Sequence, residues 1–172
     1  INDPPAEAVG IDGIEKIIKE ESLIRACEDG QDKEARWNMM MASTEGAMAF
    51  SKGLGAVHSM SHALGANQEL RLHHGTLNAV ILPSVLRFNQ NHVENKYTRI
   101  ASAMGDKVTT DLANEIEKLN EKIGMPASLS EMGVTEDMIP QLVAHAATDP
   151  SNLTTPRLPS IEEWEKLFLE AM

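Results

Sequence analysis

The sequence lacks several features that mark particular classes of protein. Its 172 residues contain one cysteine, Cys27, which excludes an internal disulfide and a zinc-ribbon site and fits a reducing, cytoplasmic environment. No apolar run approaches the roughly 20 residues needed to cross a bilayer, and no basic start followed by an apolar stretch indicates a secretory signal. We therefore expect a protein that neither enters a membrane nor is exported.

Basic residues are also scarce in this sequence. Lys and Arg total 15 against 26 Asp and Glu, which gives a formal net charge of −11. A phosphate backbone would be repelled by this charge, so nucleic acid is not a predicted partner. Hydrophobic residues make up 42% and charged residues 24%, a balance that is typical of a soluble globular protein and excludes a disordered tail.

Aromatic residues make up only 3% of the chain, and helix-forming residues recur throughout, which favours helices over sheets. Asp3 is a predicted helix cap, and Ser160 with Glu163 forms a predicted capping box. The sequence thus predicts an all-α helical bundle, a single domain over residues 1–172. Apolar spacing predicts helices at about residues 3–24, 33–50, 57–64, 76–89, 93–104, 110–123, 135–147 and 160–172.

Apolar residues recur along one face of the second of these segments. Trp37, Met40 and Met41 recur on one helical face, together with Met48. We interpret the run of three methionines at 39–41 as core packing, because thioethers fill irregular gaps readily and no second methionine cluster suggests a copper site.

The chemistry-bearing residues are concentrated in one short stretch. Four of the six histidines, His58, His62, His73 and His74, lie within seventeen residues. His58 and His62 are separated by four positions, so on a helix they share a face and can reach one cavity. Histidine is a common ligand of first-row metals, and a third imidazole at the start of the next helix would extend such a site.

The spacing of these histidines by itself is also compatible with a solvated helix face. The zinc-protease motif is excluded, because Ser59 stands where that motif has a glutamate. A carboxylate often completes iron and zinc sites, and no Asp or Glu occurs from Val57 to Gln68. One ligand of the predicted metal site is therefore missing from this stretch. We place His92 and His145 on amphipathic segments outside the motif.

Two segments resemble the signature of the iron-containing (group III) alcohol dehydrogenase family. They are KGLGAVHSMSHALG at 52–65 and HGTLNAVILPSVLRFN at 74–89. The segments DPPAEA at 3–8 and MASTEGAMAF at 41–50 are similar to the same family, so the resemblance covers most of the chain. It implies that the chain is the C-terminal helical, metal-binding domain of a two-domain enzyme whose N-terminal α/β domain binds NAD(P).

The resemblance also implies roles for the histidines. It makes His58 and His74 ligands of a divalent metal, Fe²⁺ or Zn²⁺, and it makes His62 a catalytic residue suited to proton relay. His73 is the alternative to His74 as a ligand. The family takes two further ligands, an aspartate and a histidine, from a helix upstream of the segment that begins at Ile1, so we expect an incomplete site here. No residue of this chain is identified as nucleotide-binding, because a glycine-rich dinucleotide loop is absent.

We therefore hypothesise the catalytic domain of an NAD(P)-dependent dehydrogenase that interconverts a primary alcohol or hydroxy acid with its aldehyde or ketone. The expected partners are the missing N-terminal domain, a small substrate and further copies of the chain in a homo-oligomer. We expect the isolated chain to be inactive, with exposed apolar surface near residues 53–75. Two alternatives are a stand-alone helical remnant serving as an interaction module, and a metal-independent reductase of the same fold.

Overall fold

The computed structural model describes residues 3–93, 95–105 and 107–172. Within these ranges the chain forms helices and turns, and no β-strand occurs. The prediction of an all-α fold is confirmed. The α-helices are α1 Pro4–Ile14, α2 Ser22–Glu28, α3 Lys33–Met48, α4 Ala56–Gly65, α5 His74–Asn89, α6 Lys96–Met104, α7 Leu112–Lys122, α8 Ile139–Thr148 and α9 Ile161–Ala171. In the described part of the chain, no helix has both the length and the apolar composition needed to cross a membrane.

The helices belong to two compact units. The first unit comprises residues 1–53 and 95–110 and contains α1, α2, α3 and α6. The second unit comprises residues 54–94 and 111–172 and contains α4, α5, α7, α8 and α9. All four histidines of the motif lie in the second unit.

The start of the first unit agrees with the sequence prediction, but its continuation does not. Asp3 caps α1 and accepts a hydrogen bond from the backbone of Ala6 at 3.2 Å. The predicted single helix over residues 3–24 is wrong, because α1 is followed by a π-helical turn at Glu15–Lys19 and then by a break. Glu21 adopts a left-handed conformation with φ of 54°, which a right-handed helix cannot contain, so α2 begins afresh at Ser22.

The first unit is packed mainly through small residues. On α3, Ala35 is fully buried and Ala42 is 4% exposed, whereas Trp37 is 61% and Met40 64% exposed. The expectation that the methionine run at 39–41 packs in the core is therefore wrong for Met40, while Met39 and Met41 are half-buried. Alanines let α1 and α3 approach closely, and a methyl group added to Gly13 of α1 would lie 3.2 Å from a carboxylate oxygen of Glu45. The large side chains of α3 lie on its other side.

Charged contacts supplement this packing. The carboxylate of Glu7 accepts hydrogen bonds from Lys52 Nζ at 2.7 Å, Lys96 Nζ at 3.1 Å and Arg99 Nη1 at 3.0 Å. The hydrogen bond from Lys52 and then that from Lys96 lower the pKa of Glu7 to about 2. Glu7 thus links α1 to the 3₁₀ turn Ala49–Lys52 that follows α3, and to α6, within the first unit.

The second unit has a core of large apolar side chains. Trp164 and Phe168 of α9 pack with Leu77 and Ile81 of α5 and with Met60 of α4, and each of these residues is at most 1% exposed. The predicted capping box starts α9, since Ser160 accepts from the backbone of Glu163 while the Glu163 side chain accepts from the backbone of Ser160. This core holds the helices that carry the histidines.

Candidate active site

Helix α4 carries two of the histidines and is held at its start by a distant segment. Gly55 caps the helix with φ of 73°, a conformation that favours glycine, and its backbone N–H donates to the Ser151 carbonyl at 3.1 Å. Met60 and Leu64 bury one side of α4 in the core. The helix therefore presents His58 and His62 from a fixed element.

The three imidazoles of His58, His62 and His74 lie together. The ring centroids of His58 and His74 are 5.3 Å apart, those of His62 and His74 are 5.7 Å apart, and those of His58 and His62 are 5.8 Å apart. The His62 and His74 rings are stacked with an angle of 17° between their planes. The predicted convergence of these side chains is confirmed, whereas their chemical roles stay predictions.

The two adjacent histidines at the start of α5 have different surroundings. His73 caps the helix, because its Nδ1 accepts from the backbone N–H of Thr76 at 3.3 Å and lies 3.2 Å from the Thr76 hydroxyl. His74 instead contributes its ring to the cluster, and one of its two ring nitrogens, Nε2, lies 3.1 Å from the side-chain nitrogen of Asn78. Of the two alternatives left open by the sequence, His74 is the one that lies beside His58 and His62.

The environment of His58 favours the neutral imidazole. Burial lowers the pKa of His58 below its ordinary value, and the neighbouring His74 and His62 lower it further, against an opposing hydrogen bond with the Leu54 backbone. The neutral form is the one that binds a metal ion, because protonation occupies the lone pair of the ligating nitrogen. His58 is thus suited to a ligand role at neutral pH.

A carboxylate that the motif alone did not reveal contacts the cluster. Asp149 Oδ2 lies 3.0 Å from His62 Nδ1, and the Asp149 side chain is 9% exposed. Burial by itself would raise the pKa of Asp149, but hydrogen bonds from Ser151 and from His62 outweigh it, so the pKa lies below its ordinary value. Asp149 is therefore ionised at neutral pH and faces an imidazole.

Asp149 belongs to a well-anchored segment, the 3₁₀ turn Pro150–Thr154 and its flanks. Its Oδ1 accepts from the backbone of Ser151 at 2.8 Å, which caps the turn. The buried hydroxyl of Ser59 on α4 donates to Asn152 at 2.6 Å. In the sequence, Asp149 marked only the end of a helix before Pro150. An Asp followed by Pro and Ser is a turn signal, but nothing local indicates that the turn lies against α4.

The spacing of the rings is compatible with a shared metal ion. Two imidazoles bound to one metal at about 2.1 Å with a tetrahedral angle would place their ring centroids about 5 Å apart, and the nearest pair, His58 and His74, is at 5.3 Å. Within residues 3–93, 95–105 and 107–172, no three or more His, Cys, Asp or Glu side chains are arranged to hold a metal ion. The described residues therefore do not form a complete metal site by themselves.

Exposed apolar surface lies beside the motif rather than within it. No large hydrophobic residue from 53 to 75 is exposed, because the side chains of α4 and of the following turn pack against the core of the second unit. Leu153 is 89% exposed, however, and belongs to the turn Pro150–Thr154 that bonds to Gly55 and Ser59, so the expected exposed apolar surface near this segment is present. Among the described residues, the exposed large hydrophobic side chains are Trp37, Met40, Met48, Phe50, Leu153, Leu158, Ile161 and Leu169.

Comparisons with known proteins agree with the resemblance. The family described as "Fe-containing alcohol dehydrogenase family, C-terminal" matches residues 2–172. The chain is 42% identical to 4-hydroxybutyrate dehydrogenase of Cupriavidus necator, over 98% of this chain and 46% of that protein. A crystal structure of 1,3-propanediol oxidoreductase matches with a TM-score of 0.89 at 32% identity, over 99% of this chain and 46% of that one. Alcohol dehydrogenase from Oenococcus oeni matches with a TM-score of 0.90 at 28% identity, with the same coverage. The chain thus spans about half the length of the relatives it matches.

Proposed function

Because the chain belongs to the Fe-containing alcohol dehydrogenase family, we propose that it is the metal-binding catalytic part of an NAD(P)-dependent alcohol dehydrogenase. The observation that carries the proposal is the cluster of His58, His62 and His74, formed by two helices of a chain that matches the family throughout. The whole chain acts as a single helical domain in this proposal and works in the cytoplasm.

The proposed enzyme needs a second domain. Relatives are about twice as long as this chain, which supports an N-terminal domain that binds NAD(P) and contributes the remaining metal ligands. In this arrangement His58 and His74 hold Fe²⁺ or Zn²⁺ through two neutral nitrogens. Such a site needs an anionic ligand for strong binding, and Asp149, a carboxylate that contacts the cluster, is engaged by His62.

The chemistry divides between the metal and the side chains. When bound, a divalent metal would supply Lewis-acid stabilisation of an alcohol oxygen. His58 and His74 hold their neutral nitrogens in place, and His62 accepts the proton of the substrate hydroxyl. Stacking of the His62 ring against His74 keeps that acceptor beside the ligand pair.

The proposed substrate is a small molecule with a hydroxyl group that is oxidised to an aldehyde or ketone. The 42% identity to a 4-hydroxybutyrate dehydrogenase favours a short hydroxy acid over a simple primary alcohol.

We also propose a homo-oligomer. The exposed Trp37 and Met40 of α3 supply apolar surface of the kind that supports association.

A metal titration tests the ligand assignment. We expect the 172-residue chain to bind Zn²⁺, or Fe²⁺ without oxygen, more weakly than micromolar in calorimetry and to show no alcohol-dependent reduction of NAD. A chimera with the N-terminal half of the Cupriavidus necator relative should bind one metal per chain and oxidise 4-hydroxybutyrate. In the chimera, His58→Ala and His74→Ala should each weaken metal binding about 10-fold or more, since each removes a direct ligand.

His145→Ala provides the matched control, because His145 is an exposed residue of α8 outside the cluster. An active chimera whose metal content survives His58→Ala would contradict the ligand assignment. Micromolar binding by the 172-residue chain that His58→Ala abolishes would show that the chain completes the site alone, and turnover by that chain would contradict the need for a second domain.

A further inference from the structure

The contact between His62 and Asp149 is held in place by the fold. The two side chains are 87 positions apart in the sequence, yet Asp149 Oδ2 lies 3.0 Å from His62 Nδ1. The carboxylate is more than nine-tenths buried, and its other oxygen is held by the backbone N–H of Ser151 at 2.8 Å. Asp149 therefore has little freedom to turn away from the imidazole.

Further hydrogen bonds fix the segment that carries Asp149 against α4. The Gly55 N–H donates to the Ser151 carbonyl, and the Ser59 hydroxyl donates to Asn152, whose amide donates in turn to the Ala146 carbonyl at 2.7 Å. These bonds lie one and two turns before His62 on the same helix. These hydrogen bonds fix the segment that carries Asp149 relative to the helix that carries His62.

This contact selects one tautomer of His62. An ionised carboxylate only accepts hydrogen bonds, so His62 Nδ1 must carry the proton, and the lone pair of the neutral ring then resides on Nε2. No hydrogen bond to Nε2 of His62 occurs among the described residues, and the side chain as a whole is 38% exposed.

We propose that Asp149 is the positioning residue of His62, and that its carboxylate holds the Nδ1 proton so that Nε2 is presented as proton acceptor to the substrate hydroxyl. The proposal rests on the proposed function for the identity of the substrate. In the step itself the O–H bond of the alcohol breaks and an Nε2–H bond forms, which leaves an alkoxide and an imidazolium. The imidazolium keeps its Nδ1 proton and is stabilised by the adjacent carboxylate.

Nitrogen NMR of the 172-residue chain reads this tautomer directly. With ¹⁵N-labelled histidine at a pH above about 8, where an ordinary imidazole is neutral, Nδ1 of His62 should be the protonated nitrogen. The signals of His62 are identified by their loss in His62→Gln. In Asp149→Asn the amide oxygen can keep the bond to Ser151, which turns the amide NH₂ toward Nδ1, so the proton should move to Nε2.

Asp111→Asn is the matched control, because Asp111 caps α7 in the same unit by accepting from the Asn114 backbone at 3.3 Å. It should leave the His62 spectrum unchanged. A wild-type His62 protonated on Nε2 overturns the proposal, whether or not the variants fold, and so does an unchanged His62 tautomer in folded Asp149→Asn. The readout needs no metal, nucleotide or turnover, so it fails or succeeds independently of the proposed function.

The chimera described above supplies the kinetic counterpart. Asp149→Asn should lower kcat by about 10²-fold or more, the usual contribution of a positioned acid or base, while KM changes by a smaller factor. Asp111→Asn should retain the parental kcat. Equal activity of the chimera and its Asp149→Asn form would overturn the positioning role while leaving the metal ligands unaffected.

Discussion

The two units of this chain bury different kinds of residue. The first unit buries alanines such as Ala35 and Ala42 and leaves the large side chain of Trp37 exposed. The second unit buries Trp164 and Phe168 in a core that extends over α4, α5, α8 and α9. The histidine cluster lies in the second unit. Close packing of large side chains there restricts the positions of the helices that carry the imidazoles.

The largest expected effect uses the two tryptophans of the chain, one in each unit. Trp164→Ala should lower the free energy of unfolding by about 3 to 5 kcal/mol, because it removes a ring that is 1% exposed and leaves a cavity. Trp37→Ala should change it by less than about 0.5 kcal/mol, because this ring is 61% exposed. Urea unfolding followed by circular dichroism measures both.

Equal losses of unfolding free energy in the two tryptophan variants would contradict the contrast between the units. Such a result would mean that the Trp37 ring contributes to stability through contacts made in solution, such as those between copies of the chain. Sedimentation of wild type and Trp37→Ala over a range of concentrations tests that explanation.

The second test enlarges a small residue of the first unit. Ala35→Leu should cost about 1 to 3 kcal/mol, because Ala35 is fully buried and added methylenes must displace neighbouring atoms. Ala47→Leu on the exposed side of the same helix is the control and should be close to neutral. An Ala35→Leu variant with unchanged unfolding free energy would show that the first unit is loosely packed. Urea unfolding curves of both variants measure this free energy.

The smallest expected effect is a dependence of stability on pH. The pKa of Glu7 is about 2 in the folded chain against about 4.5 ordinarily, so its contribution is present above about pH 4.5 and is lost as the pH falls toward 2. Glu7→Gln should therefore lower the Tm at pH 7 and make less difference near pH 3. Thermal unfolding at both pH values measures this, with exposed Glu28→Gln as the control; an unchanged difference would contradict the assigned cause.

Features set by neighbouring residues were predictable from the sequence. The caps at Asp3 and Ser160 and the shared face of His58 and His62 depend on spacings of three or four positions, and the structure confirms them. The break at Glu21 was missed, because apolar residues continue at nearly helical spacing across the π-helical turn.

Features set by distant residues could not be predicted in the same way. Met40 is exposed because α3 packs on α1 through its alanines. Hydrophobic periodicity alone does not reveal which face of α3 makes this contact. Asp149 and His62 are separated in the sequence by α5, α6, α7 and α8, so their contact depends on the tertiary fold. The resemblance identified the histidines, but the carboxylate lay outside the segments that carried it.

The cap formed by His73 has a consequence for how this protein can change during evolution. The bond from the Thr76 backbone fixes the residue at which α5 begins, and therefore fixes which residue occupies the first helical position beside His58. Insertions or deletions within the connection at 66–72 that keep the packing of Leu70 and Leu72 on the core would change its length but not the register of the helix after it. The cap thereby keeps His74 in place when the length of the connection changes.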